Sequence, residues 1–128
     1  MAEGFRVRDP VHNFLQLGEK EAELLGTNLV QRLRGIRQLA LASLVYPGAL
    51  HSRFDHSLGV CHVAGMMAVQ LGLPPDEVEL VRTAALLHDL GHGPFSHASE
   101  NMLKRYAKPE AIPERQKKEE WKLMNSCC

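Results

Sequence analysis

The sequence predicts an all-α helical bundle, and two observations carry that expectation. Through most of 19–90, apolar residues recur at spacings near 3.6. The residues that cap and break helices fall at the ends of those runs, with no succession of alternating strands and no internal repeat.

The elements follow in order. Asp9-Pro10 is a turn signal, and the short alternating segment after it, within "RVRDPVHNFLQL", suits extended backbone. "EKEAELLG", from Glu19, reads as a short helix stopped by Gly26. "TNLVQRLRGIRQL" restarts with Thr27 or Asn28 as cap, and Leu29, Val30, Leu33, Ile36 and Leu39 form an apolar stripe that predicts one continuous helix. "VYPGALHSRF" is a loop, interrupted by Pro47-Gly48. A long helix is expected from about Phe54 to Leu71; its apolar residues, among them Leu58, Cys61, Val63, Met66, Met67 and Val69, leave so little polar face that it should be buried on most sides. "LPPDEVELVRTAALLHDLG" predicts the next helix, begun after the prolines with Asp76 and Glu77 in its first turn and ended near Gly91. A last helix, "SHASENMLKRYA", starts near Ser96. The segment 108–128 holds two prolines, many charges and few core-forming residues, which predicts a charged tail that is poorly ordered or a short helix.

The 128 residues, 45% hydrophobic and 23% charged, suit one ordinary domain. Fifteen basic residues balance fifteen acidic ones, so nucleic acid is not expected as a bulk partner. No run approaches the roughly 18 apolar residues of a membrane span, and the N-terminus lacks the apolar core of a secretory signal. Cys61 lies in an apolar run and Cys127 and Cys128 are neighbours, which makes no disulfide framework. These features predict a cytoplasmic protein in a reducing compartment, or a nuclear one if the source is eukaryotic, with no membrane partner.

Function concentrates in "LLHDLGHGPFSH", Leu86 to His97, which gathers three histidines and an aspartate. His88 and Asp89 are adjacent at a helix end. Adjacent helical side chains diverge by about 100°, so they can flank one ion only if another element supplies further ligands. The candidate is "HSRFDHSLGV", with His56 at the start of the longest helix and Arg53 three residues earlier. Imidazole with carboxylate suits Zn, Fe, Mn, Co or Ni better than Ca or a soft thiolate metal. Arg53, His92 and His97 would then stand around that ion as cations or donors, a constellation suited to a phosphate ester. Duller readings stand beside this one. A His-Asp pair is often only a hydrogen-bonded structural pair, and Arg53 could be a surface ion-pair partner. His62 reads as a packed core histidine, His12 and His51 as loop residues, and Cys61 with Met66 and Met67 as core packing.

"RFDHSLGV" (Arg53 to Val60) followed by "HDLGHGPFSH" (His88 to His97) closely resembles the HD-domain metal-dependent phosphohydrolases, and within them the deoxynucleoside triphosphate triphosphohydrolase group. The similarity extends upstream to "DPVHNFLQL", "VQRLRGIRQL" and "VYPGALHSRFDH", and covers most of Asp9 to about Tyr106. It implies an HD-type bundle over 1–107 in which His56, His88 and Asp89 ligate one divalent transition metal, with Mg possible alongside substrate. It further implies that Arg53, His92 and His97 face the phosphates and that Gln31 touches the sugar. The implied reaction is attack of metal-polarised water on the α-phosphorus of a deoxynucleoside triphosphate, releasing nucleoside and inorganic triphosphate, with His97 assisting the leaving group or transition state.

The resemblance also has a gap. The family supplies a fourth ligand, an aspartate on a later helix, and a downstream histidine paired with an acid. Here Asp89 is the last aspartate and His97 the last histidine. The expectation is therefore a domain incomplete at its C-terminal end and an activity impaired for want of the fourth ligand, unless water or Glu100 substitutes or a homo-oligomer completes the site. The alternatives are a non-catalytic chain that binds metal or nucleotide or joins full-length relatives, and a purely structural helical module.

Overall fold

The structure, a computed structural model, describes residues 5–95 and 105–106. The chain divides into two compact units, Met1–Ser96 and His97–Cys128. In the second, Arg105 and Tyr106 are helical, inside the stretch expected to be the last helix. The remainder of that helix, the boundary expected near 107 and the charged tail lie outside the described residues.

The first unit opens with an antiparallel hairpin, β1 (Phe5–Asp9) and β2 (Asn13–Leu17), in the register Phe5↔Leu17, Val7↔Leu15, Asp9↔Asn13. Asp9 shapes the turn, its carboxylate accepting from the backbone N–H groups of Val11 (2.9 Å) and His12 (2.7 Å), and Asn13 takes φ 68°, a conformation short polar side chains tolerate. Period-2 alternation then buries Leu15 and Leu17 and exposes Phe14 and Gln16. The strand after the turn is the extended segment expected; its partner β1 was not.

Helix α1 (Glu19–Leu25) ends at Gly26 as the sequence indicates, and α2 (Asn28–Gln31) is capped by Thr27, whose hydroxyl accepts from Val30 N–H at 3.4 Å. The continuous helix expected through Leu39 does not form. A 3-10 turn over Arg32–Gly35 follows α2, and Ile36 is extended, because the backbone there pairs with a distant segment: Arg37 bridges Ser52, Arg53 N–H donates to Ile36 O at 2.8 Å, and Gln38 N–H donates to His51 O at 3.2 Å. Leu29 and Leu39, two members of the apparent stripe, are exposed.

Helix α3 (Arg53–Gln70) starts with a reciprocal cap: Asp55 N–H donates to Ser52 Oγ at 3.2 Å and Ser52 N–H to Asp55 Oδ2 at 2.8 Å. Its buried face is the stripe Phe54, Ser57, Leu58, Cys61, Gly65 and Ala68. Val63, Met66, Met67 and Val69 are exposed, so burial on most sides does not hold for the described residues, and Met66 and Met67 are not core packing. A turn with Gly72 at φ 72° leads to α4 (Pro75–Leu87), which packs antiparallel on α3 with Pro75 at its first position and His88 as its C-cap. The core is one cluster, including Leu15, Leu17, Leu25, Val30, Leu33, Phe54, Leu58 and Leu86, drawn from the hairpin and every helix. Among the described residues no helix is long and apolar enough to cross a membrane.

Candidate metal centre

The antiparallel pairing of consecutive helices sets the site, because it puts the start of α3 beside the end of α4. His56, in the first turn of α3, then meets His88 and Asp89 where α4 stops. One ligand atom from each of the three lies within 4.8 Å of the others, and no other such group of three occurs among the described residues. The imidazole rings of His56 and His88 are 5.3 Å apart, edge to face.

Asp89 is the centre of the arrangement. It is buried, and Arg53 NH1 donates to its Oδ2 at 2.6 Å. His56 Nε2 stands 3.9 Å from the same oxygen, while His88 Nε2 and His92 Nε2 stand 3.4 and 3.6 Å from Oδ1. Arg53 is equally buried, so the surface ion pair considered for it is corrected to an interior one.

The ring orientation of His88 bears on what the site can hold. Its Nδ1 lies 2.6 Å from Ala85 O, an acceptor only, so Nδ1 carries the proton and donates. In the neutral imidazole Nε2 is then a lone pair pointed at a carboxylate oxygen 3.4 Å away. Two acceptors facing each other at that distance are stable only with positive charge between or on them. A backbone carbonyl holding the far nitrogen of an imidazole is also the usual outer support of a metal-ligating histidine. His56 fits the same role: burial pushes its pKa below the usual histidine range, and the opposing pull of the Asp89 carboxylate does not reverse this, so a neutral ring presents its lone pair. The donor set therefore suits a divalent transition metal.

Among the other residues singled out by sequence, His92 is brought to Asp89, and the shallow groove of about 380 Å³ that opens beside His56 runs along α3 to Met67. Gln31 is engaged at both ends of its amide: Nε2 donates to Leu25 O at 2.7 Å and Oε1 accepts from Arg34 Nε at 2.8 Å. His97 lies outside the described residues. His12 and His51 do sit outside regular elements, but His62 is not in the core; it is partly exposed and packs on the His12 ring at 4.9 Å.

Two contributors were missed by sequence reasoning. Arg32 reaches 58 and 60 residues along the chain to donate to the carbonyls of Leu90 (2.7 Å) and His92 (3.0 Å), clamping the segment that carries the histidine. Farther down the helices, partly exposed Arg82 forms a two-pronged pair with buried Glu21 at 2.6 and 2.7 Å. A buried glutamate at a helix start has no signature of its own; its only signal was an acid interrupting an otherwise apolar face.

Comparison with known proteins agrees with this geometry. The HD domain family matches residues 53–122. The chain is 48% identical over 94 residues to an uncharacterized protein of Methanocaldococcus jannaschii, covering 73% of this chain and 20% of that one. It is 40% identical over 111 residues to the deoxynucleoside triphosphate triphosphohydrolase SAMHD1 of Homo sapiens, covering 81% and 18%. Among solved structures, a hypothetical protein from Aquifex aeolicus superposes with a TM-score of 0.75 at 40% identity, covering 96% of this chain and 33% of that one. A phosphohydrolase from Bacteroides thetaiotaomicron gives 0.69 at 39% identity, covering 77% and 26%. The chain spans about a fifth of the length of these curated relatives. With the match beginning at Arg53 and taking in the histidine of α3 and the His-Asp pair that ends α4, this chain belongs to the HD domain family.

Proposed function

We propose that the site hydrolyses a phosphate ester of a nucleotide, with deoxynucleoside triphosphates as the substrate class and nucleoside plus inorganic triphosphate as products. The observation that carries this reading is the gathering of one ligand atom each from His56, His88 and Asp89 within 4.8 Å of one another, with His88 Nδ1 committed to Ala85 O so that its Nε2 is left to face the site. The name of the human relative supplies the substrate class. His56, His88 and Asp89 would hold one divalent ion of Zn, Fe, Mn, Ni or Co, with Mg arriving on the nucleotide. When bound, that ion polarises water and a phosphoryl oxygen.

The chain's own residues orient and neutralise. Arg53 holds the Asp89 carboxylate in place and is assigned, with His92 from the segment after α4, to the phosphate side. His97 is assigned the leaving-group side, and Gln31 the sugar through its second amide N–H. The protein works in the cytoplasm, or in the nucleus of a eukaryote, and acts as a homo-oligomer.

Metal content of protein purified without added metal, compared with His88→Ala, tests the centre; equal content in both overturns it. Release of inorganic triphosphate from deoxynucleoside triphosphates with Mn or Mg, with Arg53→Ala as control, tests the reaction. A second reading is binding of metal and nucleotide without turnover, for which the three candidate ligands among the described residues are enough. Nucleotide binding without release of triphosphate would support it.

A further inference from the structure

The apolar contact between α3 and α4 says little about how far one helix slides along the other. Within α4 the one fully buried side chain is Leu86, with Leu87 partly buried against the core, and so few apolar side chains do not by themselves select one register. Yet the metal centre needs a single register, because its ligands come from both helices and the Arg53–Asp89 contact is 2.6 Å. Sliding by two residues moves a helix about 3 Å along its axis. That is enough to break it.

The polar groups away from the site carry the missing information. Arg82, Leu86 and Asp89 stand at i, i+4 and i+7, so they share one face of α4 and its extension. Arg82 crosses α3 at Gly65, where a Cβ would lie 2.8 Å from its NH1 and 2.9 Å from its Cγ and Cδ; neighbouring positions, Ala64 and Met66, have side chains. Beyond that notch its Nε and NH2 donate to the two oxygens of Glu21, and NH2 also donates to Gln16 O at 2.8 Å. Glu21 is buried and further accepts from Gly18 N–H at 2.8 Å, with the Cys61 thiol 3.8 Å away. A buried ion pair adds little net stability over an apolar pair, but a wrong register would leave a buried charge without its partner, which is costly. The pair therefore discriminates between registers more than it stabilises.

We infer that the Glu21–Arg82 pair, seated over Gly65, is a positioning device for the metal centre: it ties α4 to α1 across the Gly65 notch of α3, beside Cys61, and so fixes α4 along α3 and holds His88 and Asp89 opposite His56. The inference rests on the proposed ligand role of those three residues.

The test uses Co²⁺ as the probe, with its visible spectrum and affinity read beside thermal melting, in wild type, E21L/R82M and Arg82→Lys. Spin labels at exposed Val69 and Leu80 report the helix register without metal. The apolar double variant is expected to melt within a few degrees of wild type, to bind Co²⁺ at least tenfold more weakly with an altered spectrum, and to show a shifted or broadened label distance. Arg82→Lys, which keeps the charge and loses the fork, should fall between. Unchanged affinity, spectrum and distance in the double variant, or in Arg82→Lys if the double variant does not fold, overturn the inference while leaving the metal reading intact. If wild type takes no Co²⁺, the ligand assignment fails, and with it the inference in this form; the label distance then decides whether the pair still sets register.

Discussion

Arg53→Met is the substitution with the largest consequence that can be worked from the structure. The Arg53 and Asp89 side chains are 4% and 6% exposed and meet at 2.6 Å, so removing the guanidinium leaves a carboxylate in the interior without its counter-charge while keeping most of the side-chain volume. Breaking a buried pair this way costs about 3–5 kcal/mol, against the roughly 5–15 kcal/mol that stabilises a whole domain. With a urea slope near 1–1.5 kcal/mol/M for a unit of this size, the midpoint should fall by roughly 2 M or more at unchanged slope, read by far-ultraviolet circular dichroism. The control is Lys20→Ala, which removes a 3.0 Å pair with Glu79 whose side chains are 74% and 45% exposed; solvent screening limits that loss to below ~1 kcal/mol. A divalent ion at the site brings positive charge to the same carboxylate, so Co²⁺ at a hundredfold its dissociation constant should return about 2.7 kcal/mol to any form that binds it. Equal midpoints for Arg53→Met and Lys20→Ala would refute the reasoning.

Three further outcomes are expected. Glu21 is held below the ordinary carboxylate range, because Arg82 and Gly18 N–H together outweigh the burial that would raise it; its contribution to stability is present above the unfolded value of 4.5 and is lost as pH falls through the lower folded value, so Glu21→Gln should flatten the acid limb of a stability–pH profile. Burial first, then the Glu21 charge, push the Cys61 thiol up to about 11, so peptide mapping after iodoacetamide at pH 8 should find it unmodified in the folded protein and labelled in urea. Ser57 Oγ is buried without a hydrogen-bond partner, so Ser57→Ala should leave stability unchanged or raise it in urea melts, and a loss beyond ~0.5 kcal/mol would contradict this.

What the sequence made legible was local. The length of α3, the start of α4 at its prolines, the stop at Gly26 and the position of His56 in a first turn all follow from residues within a few places of one another. The clustering of His56 with His88 and Asp89 was legible because two helices joined by a short turn leave few ways to keep them apart. What escaped was set by partners far along the chain. Ile36 leaves the helix because its carbonyl is taken by Arg53 N–H, and no periodicity over 28–39 reports that. The sequence offered Arg53 phosphate contact or a surface ion pair and did not report its burial on Asp89, and the apolar outer face of α3 reads as core although nothing among the described residues covers it.

The opposed directions of α3 and α4 give the centre a built-in polarity. Each helix acts as though it carried about half a unit charge at its tips, positive where α3 begins and negative where α4 ends, and these opposite poles flank the same few ångströms. A cation–anion pair bound there would be told which way to lie, the cation favoured toward the tail of α4 and the anion toward the head of α3; turned around, each would face a pole of its own sign.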